Sequence, residues 1–346
     1  MPPKSRRDWS QPPKRVNEPG KRRMELIPSV SRSSGLDKDG DALRNHKVQE
    51  EYRDFIHTKL NSYWERFPYG GTAQDTKQRD EVQGNILILF RKLREGLLSA
   101  KRTDSFALEV YETSLYLSII FNSPVQTTSI IPHLLPAMYQ ALPNSTPVIT
   151  ILLSSLHFLA SGYPSQSRYF DHLHSLPTFF FLESHPAASW LRDLSWTLRS
   201  HTYSNLEKLT TREACAHILE IPEHTKGNDG ELPPQKYSYP VNLVLEALCT
   251  LVDTLREKAR ETNWLVLRTA YREVSLPKPC DTDPAPTRDW LCRSLTLCSV
   301  SRVSSPKTVD DVALLDTWIE SRRAQGDVRP KEGVEGRWIV VKPKLS

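Results

Sequence analysis

The stretch 90–112, FRKLREGLLSAKRTDSFALEVYE, constrains this chain most. It reads as the end of one amphipathic helix, a short polar break, and the start of another. Thr103-Asp104-Ser105 supplies the break, and its side-chain oxygens suit a helix N-cap. The same alternation recurs along most of the sequence. Residues 42–67 carry Tyr52, Phe55, Ile56, Leu60, Tyr63, Trp64 and Phe67 at spacings of three and four, and Pro68-Tyr69-Gly70-Gly71 ends the run. Residues 76–100 place Val82, Ile86, Leu89, Leu93 and Leu97 on one face. Further apolar runs follow at 106–121, 131–142, 148–161, 169–176, 186–199, 203–209 and 212–220. Pro186 sits at a first-turn position. Short apolar helices joined by short polar breaks stack as antiparallel pairs, so a helical-repeat, solenoid-like array is expected, without a fixed sequence period.

Residues 221–240, IPEHTKGNDGELPPQKYSYP, have no apolar period and read as an exposed loop. A long helix is expected over 241–274, its face formed by Val244, Leu248, Leu251, Val252, Leu255, Ala259, Leu265, Leu267 and Tyr271. Then the character changes. A short apolar segment at 290–297 precedes a helix over 308–323 that opens TVDDV, with Thr308 as cap and Asp310 and Asp311 in the first turn. Val328, a glycine-bearing turn at 333–336 and a strand at 337–341 form a hairpin. Helix, helix, hairpin is the order of a winged helix. Three regions result: a disordered basic arm (1–42), a helical-repeat domain (43–275) and a winged-helix domain (285–346). The fold class is mainly α.

Residues 1–32 contain Lys4, Arg6, Arg7, Lys14, Arg15, Lys21, Arg22, Arg23 and Arg32 against Asp8, Glu18 and Glu25. Nine bases less three acids give these residues +6, and the whole chain carries a formal charge of +5, so the remaining body is close to −1. With little aliphatic content besides, the arm cannot bury enough surface to offset its ordering entropy. A basic arm on a neutral body suits nucleic acid, an acidic partner or nuclear import; a solvated tail without a partner is the alternative. Five cysteines, an odd number, suit a reducing compartment. The charged, Pro-rich start carries no apolar stretch of the secretory kind. The longest apolar run, at 148–160, is shorter than the roughly 20 residues a bilayer span needs.

Signs of chemistry are few. The chain contains 13 Gly, which disfavours phosphate-loop enzymes. It has no G-x-S-x-G, no H-E-x-x-H and no C-x-x-C. Cys292 and Cys298 are spaced C-x5-C, which is not a usual zinc pattern. His172 and His174, two apart, do not share a helix face. His217 and His224, with Cys215, Glu220 and Glu223 nearby, are a weak metal candidate because Pro222 and the following loop leave the geometry unfixed. No enzyme activity, metal or cofactor is expected.

The 90–112 stretch resembles the entry to the helical domain of GANP-type mRNA-export scaffolds of the PCI superfamily. The family pattern places an aromatic, Ile or Leu, Arg and Leu at fixed spacing, then Phe and Glu-Val-Tyr-Glu. This chain supplies Phe90, Leu93, Arg94, Leu97, Phe106, Glu109, Val110, Tyr111 and Glu112 without an insertion. It departs at Gly96, where the family has Asp, and at Ala100, where it has Gln. More loosely, 191–209 and 255–271 are similar to an array helix and to the helix that precedes the winged helix. The proteasome-lid, signalosome and translation-initiation branch is similar over 152–271 and ranks second.

The resemblance implies a non-catalytic scaffold subunit of a nuclear complex joining transcription to mRNA processing or export, with the cytoplasm also open. It implies other PCI or winged-helix subunits as partners, a small acidic disordered protein clasping the winged-helix end, RNA contact, and no membrane. Trp318, Ile319, Trp338 and Val340 would be apolar contributions of the winged helix. A different reading is direct nucleic-acid binding, in which the arm and Arg322, Arg323, Arg329, Lys331, Arg337, Lys342 and Lys344 contact phosphates.

Overall fold

The computed structural model describes residues 24–30, 42–68, 76–142, 145–177, 185–219, 237–277, 286–302 and 311–343. Among the described residues the chain is mainly helical with one small three-stranded sheet. The helices are α1 (His46–Arg66), α2 (Thr76–Ser99), α3 (Ser105–Ile120), α4 (Pro124–Leu134), α5 (Ala137–Ala141), α6 (Val148–Gly162), α7 (Ser167–Ser175), α8 (Pro186–Arg199), α9 (Tyr203–Leu209), α10 (Arg212–Ile218) and α11 (Leu243–Ala270). Then come β1 (Glu273–Ser275), α12 (Pro286–Ser294), α13 (Asp311–Ala324), β2 (Val328–Pro330) and β3 (Arg337–Val340).

Helix starts follow local chemistry. Asn45, Asp104, Thr211 and Asn242 each accept a backbone N–H of the first turn, at α1, α3, α10 and α11. Pro186 begins α8 with the His185 ring as cap. The expected run at 131–142 is instead two helices, and the first begins at Pro124, because Pro after Ser123 starts a helix before the apolar residues do. The expected disordered arm lies outside the described residues at 1–23 and 31–41. Residues 24–30, however, lie on the body: Ile27 is buried in the core and its carbonyl accepts from Lys92 Nζ at 2.9 Å. The expected loop at 221–240 lies outside the described residues up to 236, and Tyr237 beyond it is buried.

α11 organises the interior. Its first two thirds, from Leu243 to Ala259, join the large core built by α1 to α10. Its last third supplies Trp264 and Leu267 to a second, smaller core with Val274, Leu276, Leu291, Leu295, Leu315, Ile319, Val328 and Val340. Twenty-eight residues at 1.5 Å each give a spine about 42 Å long. The face differs slightly from expectation. Trp264 is buried and donates from Nε1 to Asp327 at 2.9 Å, whereas Leu265 and Tyr271 are exposed. The helix stops at Ala270, and Val274 belongs to β1, where it pairs with Trp338 and points inward while its neighbours face solvent. The sheet order is β1-β3-β2, all antiparallel, with α12 and α13 between β1 and β2 in the chain.

Polar pairs tie neighbouring helices together in and at the edge of the large core. Ser118 of α3 meets Thr127 of α4 at 2.9 Å; Thr128 of α4 meets His157 of α6 at 2.9 Å; Ser154 of α6 meets His172 of α7 at 2.8 Å. Burial pushes both histidines down, each to about 4, so each is neutral near pH 7.

Candidate interaction surfaces

The 90–112 motif lies inside the molecule. Phe90, Leu93, Leu97, Val110 and Tyr111 are buried, and Phe106 is half-buried beneath the Arg102 guanidinium, 4.2 Å from its ring centre. Glu112 accepts from the Tyr139 hydroxyl at 2.5 Å, and burial raises its pKa. Glu109 pairs with Arg53 of α1. Arg53 Nη2 donates to Oε1 at 2.6 Å and Nε to Oε2 at 3.1 Å, a two-pronged contact. Nη2 also donates to the Tyr239 hydroxyl at 2.6 Å, and the guanidinium lies 3.9 Å from the Tyr237 ring centre and 5.3 Å from that of Phe90. Burial alone would lower the Arg53 pKa; the Glu109 carboxylate outweighs it, and the net shift is upward. One arginine therefore pins α1, α2, α3 and the segment that leads into α11. The motif is a set of core residues and internal struts.

The departure at Gly96 has a local cause. A Cβ there would sit 2.6 Å from the Leu43 carbonyl oxygen, where the 3-10 turn Ala42–Arg44 crosses α2. Any side chain, including the family's Asp, would displace that turn.

A second group of struts fastens the end of the 286–302 segment to α11. Asp253 accepts from the Val300 and Ser301 backbone N–H groups at 2.8 and 2.9 Å, and Glu246 accepts from Arg302 N at 3.0 Å and from Arg212 Nη2 at 2.5 Å. Sequence reading missed Arg53, Glu246 and Asp253. The available signal was a charged residue on the apolar stripe of a helix: Arg53 falls in line with Gln49, Ile56 and Leu60, and Glu246 lies among Leu243, Leu245, Ala247 and Leu248, all buried.

The expected nucleic-acid contacts divide sharply. Lys4, Arg6, Arg7, Lys14, Arg15, Lys21, Arg22, Arg23 and Lys344 lie outside the described residues. Arg322 is buried and ion-paired with Glu261, with its guanidinium 5.0 Å from the Trp318 ring centre, so its charge serves the fold. Arg323 is exposed beside Glu320 at 3.2 Å. Arg329 and Arg337 share the solvent face of the sheet, since Arg329 faces Ile339 across the ladder and Arg337 lies two residues before Ile339. Glu273 also faces Ile339, and it engages Lys331 at 2.8 Å and Arg337 at 4.0 Å. Lys342 is exposed just past β3. Two bases thus engage Glu273, and the turn between β2 and β3 adds the exposed acids Glu332 and Glu335. Ile319 and Val340 are buried in the small core; Trp318 and Trp338 are half-buried against it.

Cys215 is buried beside Cys249, while His224, Glu220 and Glu223 lie outside the described residues. Cys292 and Cys298 sulfurs are 4.0 Å apart. Among the described residues no group of three or more His, Cys, Asp or Glu side chains could hold a metal ion, and no helix is long and apolar enough to cross a membrane. An apolar surface surrounds the end of α11, where Leu265, Val266, Tyr271 and Trp290 are exposed and the last two rings meet edge-on with centres 5.6 Å apart. No family model and no curated protein matches the chain.

Proposed function

We propose that this chain is a non-catalytic scaffold subunit of PCI type, in which a helical array ends in a winged helix that pairs with a like unit of a partner. The observation that carries this reading is the course of α11: it leaves the helical core and enters a unit ordered β1-α12-α13-β2-β3 with sheet order β1-β3-β2. With the end of α11 as the leading helix, that element order and strand order are compatible with a winged helix. The internal role of Phe90, Glu109 and Tyr111 supports a likeness of architecture to the GANP type. On this reading the chain works in a nuclear complex that links transcription to mRNA processing or export; the proteasome-lid, signalosome or initiation-factor branch is the alternative. The exposed Tyr271 and Trp290 fit an apolar pairing surface.

A second reading is favoured by the basic face of the sheet. Arg329, Lys331, Arg337 and Lys342 outnumber Glu273, Glu332 and Glu335 around this sheet, so phosphate contact at this face is the competing function of the same unit. Purification of the full chain, tagged at its N-terminus, from its native cells tests both. Export or processing subunits that persist at 0.5 M salt support the scaffold reading. Recovery of RNA alone, lost as salt rises, sinks it and supports phosphate contact.

A further inference from the structure

Five arginines are buried among the described residues: Arg53, Arg94, Arg256, Arg288 and Arg322. Four engage partners. Arg53 holds Glu109, Arg256 donates to the Thr210 carbonyl, Arg288 pairs with Asp316, and Arg322 pairs with Glu261. Arg94 of α2 makes no side-chain hydrogen bond or ion pair to any described residue, and its Nε is buried without a partner. Only 7% of the residue is exposed. The Nε of Arg256, Arg288 and Arg322 is buried in the same way, but Arg94, unlike Arg288 and Arg322, has no paired carboxylate to balance its charge, which is costly. Its pKa is held down, to about 10, first by burial. The neighbouring His133 is likewise lowered, by its own burial and then by the Arg94 charge. The nearest carboxylate in sequence, Glu95, leans toward Arg91 instead, with a 3.7 Å contact.

The surroundings describe a socket. Tyr111 of α3 forms one wall, with its hydroxyl directed at the Arg94 carbonyl at 3.4 Å. The His133 ring of α4 lies 5.6 Å from the Tyr111 ring and is exposed. One turn further along α2, Leu98 is 58% exposed, and Arg91 one turn back is also exposed. An unpaired cation set into a helix face beside an exposed leucine matches a carboxylate next to an apolar side chain.

We propose that Arg94 is the anion receptor of a docking site on the α2–α4 face, and that its occupant is an acidic peptide segment of a partner protein, with one carboxylate bound by the guanidinium and an adjacent apolar residue on Leu98. A planar carboxylate fits the fork of the guanidinium. A nucleic-acid backbone fits less well, because the exposed Leu98 flank has no counterpart on a phosphate chain. The site lies away from the sheet and does not depend on how the C-terminal unit functions.

The test uses the full chain and a fluorescein-labelled twelve-residue peptide of alternating Glu and Leu, read by anisotropy. Its Gln-for-Glu counterpart, inorganic phosphate and a single-stranded RNA oligomer serve as competitors. The chain should bind the Glu peptide and discriminate against the Gln peptide. Arg94→Met should weaken binding at least tenfold while melting at a higher temperature than the parent, because a stranded charge has been removed. Arg94→Lys, which keeps the charge without the fork, should also weaken binding and should fold. Equal binding of both peptides, unchanged affinity in the two variants, or a lower melting temperature for Arg94→Met would each overturn the proposal. So would displacement of the peptide by phosphate or RNA at matched charge, which would assign the socket to a phosphate ligand.

Discussion

Replacing Glu109 with Ala should be among the most damaging single changes in the helical body. The Arg53 side chain is fully buried, and Glu109 neutralises it through contacts of 2.6 and 3.1 Å. Without Glu109 the guanidinium keeps only the Tyr239 hydroxyl and the Tyr237 and Phe90 rings. Breaking a buried ion pair from one side costs about 3–5 kcal/mol. The Glu109 side chain is 35% exposed, so water can enter its place and the lower end, about 3 kcal/mol, is expected. Urea unfolding of the transition that reports on the large core should shift to lower urea by about 1–3 M, given slopes of ~1–3 kcal/mol per M. Hydrogen exchange should accelerate at 237–242, which Arg53 holds through two tyrosines. The double variant Arg53→Met with Glu109→Leu should recover part of the loss, because no charge remains buried, giving a coupling of about 1–3 kcal/mol. A Glu109→Ala chain within about 0.5 kcal/mol of the parent, with unchanged exchange at 237–242, would refute the strut.

Three more outcomes follow from particular contacts. His157 and His172 are held near 4 in the folded chain against 6.5 when free, so folding releases protons between those values; stability is full above pH 6.5 and falls as pH drops toward 4, by on the order of 3 kcal/mol for His157, which melting curves from pH 7.5 to 4 will register. The variant His157→Gln should flatten part of that slope. Gly96→Asp, which restores the family's residue, should destabilise by about 1–3 kcal/mol because its Cβ meets the Leu43 carbonyl at 2.6 Å, and proteolysis should then increase around residues 42–45. Asp253→Ala should cost about 1–3 kcal/mol by stranding the Val300 and Ser301 N–H groups, with exchange at those two amides as the site-specific readout.

Much of the helical order was legible from apolar faces, and at α1, α3, α8, α10 and α11 a capping residue marks the start as well. Asp104 and Pro186 were readable in this way, and the hairpin was readable from its alternation and its Gly-bearing turn. β1 was not, because three residues after a 28-residue helix carry no period of their own; Val274 becomes a strand residue only through its pairing with Trp338. The struts were hidden for a different reason. Arg53 and Glu109 are 56 positions apart, and nothing local says that one buried charge answers another. Likewise the bases of the sheet face were visible as residues, but which were free was not: Arg322 looks like its neighbour Arg323 in sequence, yet one is buried against Trp318 and the other is exposed. The small core that α11 shares with the sheet also explains why Leu265 is exposed and Trp264 buried, since the helix must present its face to two different cores along its length.

Cross-linking mass spectrometry on the tagged full chain, purified with its native partners and washed at 0.5 M salt, tests the scaffold claim most directly. The account predicts cross-links from a partner's own winged-helix unit that concentrate on residues 271–343, together with loss of that partner when Trp290 is changed to Arg. Purification of the chain alone, or a stable partner whose cross-links avoid 271–343 and which survives Trp290→Arg, would contradict it.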